Sequence, residues 1–151
     1  MWAKFLFYFF VLTLLSGTTF NVNAIPAAEQ ICGKWESTEK NLVVQVYMQE
    51  NKFRAKIIWF KDGDEQQMGT WTDFRNPDPE LRNRKILGMS VLTGLTYEAD
   101  SNSWEDGMIY DAKHGRDWNA AAYIDKKGQL KVKGYWHFKF FGRTLTFNRL
   151  L

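Results

Sequence analysis

The chain has 151 residues, with 20 Lys or Arg against 17 Asp or Glu and a formal net charge of +3. That balance lacks the clustered basic face a nucleic-acid partner requires, so none is expected. The single cysteine, Cys32, makes no internal disulfide, so a packed core must supply the stability.

The first stretch reads as a secretory signal peptide. Met1-Trp2-Ala3-Lys4 carries one positive charge, and Phe5 to Leu15 is apolar apart from Tyr8 and Thr13. Val22-Asn23-Ala24 puts small residues where a signal peptidase reads. The apolar run is short against the roughly 20 residues a span needs. The expected organisation is a signal peptide over 1–24 and a single domain over 25–151, exported to the periplasm or beyond, with no transmembrane segment after cleavage. Removing residues 1–24 takes away only Lys4 among the charges. A lipid-anchored Cys32 is disfavoured by Glu29-Gln30-Ile31 before it.

Gly33-Lys34-Trp35 opens the ordered chain: a glycine for a tight turn, then the largest side chain available. Trp35 is expected to plug one end of a barrel beneath Arg149 of the last strand, a cation–aromatic contact worth about 0.5–2 kcal/mol. Leu42, Val44, Val46 and Met48 then alternate with Val43, Gln45, Tyr47 and Gln49, and Phe53, Ala55, Ile57 and Trp59 with Arg54, Lys56, Ile58 and Phe60. Asn51-Lys52 marks a hairpin turn between these two half-buried strands. The pattern breaks at Lys61-Asp62-Gly63-Asp64-Glu65, and the irregular segment lasts to Lys85. Asp78-Pro79 inside it supplies a cap and a first-turn proline, which predicts a short helix from about Pro79 to Arg84.

Strands resume over Leu87–Tyr97, Trp104–Tyr110, Asp117–Ile124, Leu130–His137 and Arg143–Arg149, separated by turn residues. Trp118, Ala120, Ala122 and Ile124 share one face, and Gly107 marks a bulge or a close approach. Short strands at even spacing predict an all-β fold: an antiparallel up-and-down barrel of roughly eight strands with one short helix. Closure removes exposed edges. Small Ala55, Ala120, Ala122 and Gly134 beside large Trp59, Trp118 and Trp136 would suit a modest cavity.

These residues also resemble a known family. Gly33-Lys34-Trp35, Lys56-Ile57-Ile58-Trp59, Asp73 to Leu81 with Asn76-Pro77-Asp78-Pro79, Arg82, Gly88, Gly107-Met108-Ile109-Tyr110-Asp111, Gly115, Leu130 to Gly134 and Phe141-Gly142-Arg143-Thr144 follow the order of the exported bacterial family called domain of unknown function 2147. Ile86 and Ala112 stand where that family commonly has proline, and Phe147 where it has tryptophan. The Gly-x-Trp opening with a late arginine is also similar to lipocalin and calycin barrels. The resemblance implies export and a small β-barrel. It implies no reaction.

Several constellations carry two readings each. Asp73, Asn76, Asp78, Glu80 and Arg82 form the densest polar cluster: a ligand site on a long loop, or a capped turn closing a barrel mouth. Tyr110, Asp111 and His114 lie in the next mouth loop, as an acid and a base or as an aspartate-started turn. Two distant histidines and one cysteine are too few for a zinc site, so no metal and no cofactor is expected. No serine elbow or phosphate loop is present, and no residue is assigned as catalytic. The tryptophans either line a pocket or fill the barrel.

The expected ligand set is Trp59, Asp73, Asn76, Arg82, Tyr110, Asp111, Trp118 and Trp136, with Gly33, Trp35 and Arg149 closing the barrel. The first functional reading is a binding protein for a small apolar or amphipathic ligand. The second is a hydrolase using Asp73 or Asp111 with Arg82. The third is an envelope module, structural or partner-binding, with a filled barrel. The sequence is silent on oligomeric state.

Overall fold

A computed structural model describes residues 24–61, 68–139 and 142–151. The signal peptide expected over 1–24 lies outside these residues, Ala24 apart, as does most of the pattern break at Asp62 to Glu65. The strands are β1 (Gly33–Ser37), β2 (Leu42–Gln49), β3 (Lys52–Phe60), β4 (Ser90–Glu98), β5 (Ser103–Asp111), β6 (Arg116–Ile124), β7 (Leu130–Tyr135) and β8 (Gly142–Leu150). Each pairs with the next in chain order, and β8 returns to pair antiparallel with β1, so the sheet closes. The registers Trp35↔Arg149 and Ser37↔Phe147 make the seam.

Local chemistry explains the connections. The β2–β3 hairpin turns at Glu50 and Asn51, whose φ angles of 52° and 58° are both positive, as a two-residue turn of matching twist demands. In β5, Asp106 is also left-handed at φ 58°, and the β5–β6 register slips between Trp104 and Gly107. Gly107 is required there because a Cβ would stand 2.6 Å from the Leu95 side chain.

The two halves of the barrel interior differ. Toward the end where β1 begins, Trp35, Leu95, Trp104 and Leu130 are fully buried, joined by Phe53, Val46 and Phe147. Phe53 meets the Trp104 ring edge-on at 6.3 Å. A 3-10 turn, Ala27–Ile31, covers this end. Its carbonyls accept both indoles: Trp35 Nε1 donates to Ile31 O at 2.8 Å and Trp104 Nε1 to Ala28 O at 2.9 Å. The buried polar edge of each indole is thereby satisfied.

Two expectations need correction. The helix over Pro79 to Arg84 is a three-residue 3-10 turn, Pro79–Leu81. Asp78 does cap it, accepting from Glu80 N at 3.0 Å. The backbone bonds Leu81 N to Asp78 O and Arg82 N to Pro79 O span three residues, so no α turn forms. The chain then bends back, with Asp73 N donating to Arg84 O and Thr72 bridging Lys85.

The second correction concerns Trp59, expected to face inward. The β2–β3 register jumps from Val44↔Ile57 to Val43↔Trp59, leaving Ile58 as an extra residue in β3. A one-residue insertion reverses which face the following residues present. Phe60 therefore packs against the core and Trp59 is 38% exposed.

Candidate functional site

Opposite the plugged end, the barrel is hollow. A cavity of about 720 Å³ opens between the β1–β2, β3–β4, β5–β6 and β7–β8 connections. Every strand except β1 contributes to its wall: Leu42, Ile57, Val91, Ile109, Trp118, Val132 with Gly134, and Leu145. Strand alternation puts them there. Trp118 precedes Ala120 and Ala122 by two and four residues, and Leu145 precedes Phe147 by two, so each continues an inward row upward from the packed core. Gly134 pairs with Ala120, and a Cβ on it would touch Ile109 at 3.4 Å and Trp118 at 3.7 Å, so any larger side chain there would compete with these wall residues.

The rim is polar. Asp111, Lys113, His114, Arg116 and Arg143 border the cavity. Asp111 organises the β5–β6 hairpin: its carboxylate accepts from Lys113 N at 3.0 Å and lies 2.6 Å from His114 Nδ1. Gly115 completes the turn with φ 62°.

Beside the rim, Asp73, Asn76 and Tyr110 come together around one buried carboxylate. Asp73 is 1% exposed. It accepts from Tyr110 Oη at 2.8 Å, Asn76 Nδ2 at 2.7 Å and Arg84 Nε at 2.9 Å, with Arg84 Nη2 also at 2.8 Å. The Arg84 guanidinium also lies over the Tyr110 ring at 5.0 Å. Burial first, then the hydrogen bond and charge of Asp73, push the Tyr110 hydroxyl up to about 12, with Arg84 opposing. Arg82 reaches the group only through Asn76 O, at 2.8 Å.

This network fastens the long β3–β4 connection to β5. A second clip sits nearby, where Arg75 Nη1 donates to Lys113 O at 2.7 Å. A smaller cavity of about 370 Å³ lies outside the barrel between the Asn76–Leu81 turn and the outer faces of β4 and β5. Asp73 and Asp111 therefore do not converge: one is enclosed among its partners, the other stands at the barrel rim.

Of the expected ligand set, Trp118, Tyr110 and Asp111 border the barrel cavity, and Tyr110 and Asn76 border the outer one. Trp136 is 58% exposed beyond the rim and touches Trp118 edge-on at 5.7 Å. Trp59 is outside the cavity for the reason given above. Sequence reasoning passed over Arg116 and Arg143, although each heads an alternating inward row, Arg116-x-Trp118-x-Ala120 and Arg143-x-Leu145-x-Phe147. Among the described residues, no group of three His, Cys, Asp or Glu side chains is placed to hold a metal ion. No helix there is long and apolar enough to cross a membrane.

An eight-stranded antiparallel barrel, plugged at one end by a Trp–Arg pair and hollow at the other, defines a lipocalin-like protein. The chain belongs to the family described as "Uncharacterized protein conserved in bacteria (DUF2147)", whose model matches residues 33–149. Among solved structures it is similar to a protein of the human pathogen Helicobacter pylori, HP1028, described as belonging to the lipocalin family. The two share 26% identity with a TM-score of 0.68, over 80% of this chain and 82% of that one. No curated protein matches.

Proposed function

We propose that this protein is exported, to the periplasm or beyond, and there binds a small apolar or amphipathic molecule in the open half of its barrel. The observation that carries the reading is the cavity of about 720 Å³ with an apolar wall drawn from seven strands. Small-molecule sites commonly measure about 300–1,000 Å³, with an apolar lining and a few polar groups at one end. The likeness to a lipocalin-family protein agrees with it. Of the set expected from sequence, Trp118 serves as the wall aromatic and Asp111 and Tyr110 as rim groups. Asp73, Asn76 and Arg82 hold the neighbouring loop in place.

Nile red, an uncharged apolar fluorophore, tests the reading directly. It should bind saturably and one-to-one, with energy transfer from Trp118. Leu145→Trp, which fills the cavity from β8, should weaken binding by about tenfold or more if the dye sits inside. Equal affinity in a folded Leu145→Trp protein would place the dye elsewhere and defeat the reading.

A further inference from the structure

Two guanidinium groups stand at the cavity's open end, and among the described residues neither forms an ion pair, although Asp111 lies opposite Arg116 in the β5–β6 register. Arg116 begins β6 and Arg143 lies at the start of β8, on either side of the mouth end of β7. Both border the cavity. Among the described residues neither side chain has a hydrogen bond, an ion pair or a ring contact. Three other arginines are engaged by contrast: Arg84 by Asp73, Arg75 by Lys113 O, Arg149 by Trp35 and two carbonyls. Lys113 adds a third cation to the rim. The single carboxylate there, Asp111, is already held by His114 and the Lys113 amide.

Three cations against one occupied carboxylate leave the mouth positive, and low-dielectric walls concentrate that field. A guanidinium fork matches the paired oxygens of a carboxylate or phosphate. The wall below accepts only apolar surface. We propose that Arg116 and Arg143 receive the anionic head of a single-chain amphiphile, carboxylate or phosphate, whose tail fills the cavity beside Trp118 and Leu145. This rests on the binding role proposed above and names the ligand class.

The test is displacement of Nile red by molecules of one chain length: dodecanoate, dodecyl phosphate, dodecanol and dodecyltrimethylammonium, each below its micellar concentration. At least one anion should bind about tenfold or more tighter than the alcohol, and the ammonium weaker than the alcohol. The better anion identifies the head group. Arg116→Gln/Arg143→Gln should bring the anion-to-alcohol affinity ratio close to one, and each single variant should lower it part of the way. Lys126→Gln/Lys127→Gln, which removes the same charge from the exposed turn at the plugged end, should leave the ratio intact. Equal binding of anions and alcohol by the natural protein overturns the proposal, as does a ratio that survives in the folded arginine variants. If Nile red itself fails to bind, the cavity reading falls and this inference with it; if Nile red binds without anion preference, this inference alone falls.

Discussion

The guanidinium carbon of Arg149 stands 4.1 Å from the centre of the Trp35 ring, and the same two residues are paired across β8 and β1. The arginine also donates to the carbonyls of Cys32 and Gln30, the former at 2.8 Å. One side chain thus joins the closing seam, the indole plug and the turn over the barrel's end. Arg149→Ala should cost about 1–3 kcal/mol, combining a cation–aromatic contact with charged hydrogen bonds. Arg149→Lys keeps the charge but loses the fork and should fall between. Urea denaturation measures both, and loss of protection at the Ala27–Ile31 amides should accompany them.

Gly33 makes that stack possible. Its φ is 132°, and a Cβ on it would stand 2.7 Å from Arg149 Nη1. Gly33→Ala should destabilise by about 1–3 kcal/mol. Part of that cost is displacement of the guanidinium, so the double variant with Arg149→Ala should be less destabilised than the two singles together. A coupling of at least about 0.5 kcal/mol in a double-mutant cycle is expected for such neighbours.

Asp73 is the hub of the second contact system. Asp73→Asn keeps the shape but leaves Arg84 without its counter-charge, and breaking a buried pair typically costs about 3–5 kcal/mol. The Arg84 side chain is 35% exposed, so water recovers part of this and about 2–3 kcal/mol is expected. Hydrogen exchange should localise the effect to residues 72–86, with β1, β2 and β8 unaffected.

Tyr110 gives the same network a signature at high pH. Its folded value of about 12 lies above the ordinary 10.0. The protonated form is therefore favoured by folding. Its stabilising contribution is complete below pH 10 and is lost as pH rises toward 12. Stability should fall over that window more steeply in the natural protein than in Tyr110→Phe. Ultraviolet titration of phenolate should show a late-ionising tyrosine that the same substitution removes.

Much of this architecture was legible because strand alternation writes burial directly into sequence. The rows through Val44 and Val46 and through Ala120 and Ala122 could be read that way, and Gly33, Trp35 and Arg149 marked the closing seam. What stayed hidden follows from events that alternation does not encode. The extra residue at Ile58 turns Trp59 outward without any local cue, because its neighbours are all apolar or aromatic. The Asp73 cluster was visible as polar residues, but its main cation, Arg84, comes from a chain reversal eleven residues on. Arg116 and Arg143 went unread, since a charge at the end of an alternating row gives no sign of the cavity that closure places beside it.

The last prediction joins the loop network to the cavity. Gly115 ends the rim hairpin, and a Cβ there would stand 2.0 Å from the Arg75 carbonyl oxygen. That atom is backbone and cannot swing aside, and φ 62° adds strain for any other residue. Gly115→Ala must therefore push the Asp73–Asn76 segment away from the β5–β6 hairpin or distort the hairpin itself. Both movements loosen the rim while the packed half, fastened by Trp35 and Trp104, is untouched. The global urea midpoint should drop only modestly. Exchange at residues 72–78 and 112–116 should rise together, and Nile red should enter and leave faster with a smaller change in affinity. A Gly115→Ala protein with natural exchange at Arg75 and Lys113 would show that the two loops are not mechanically joined.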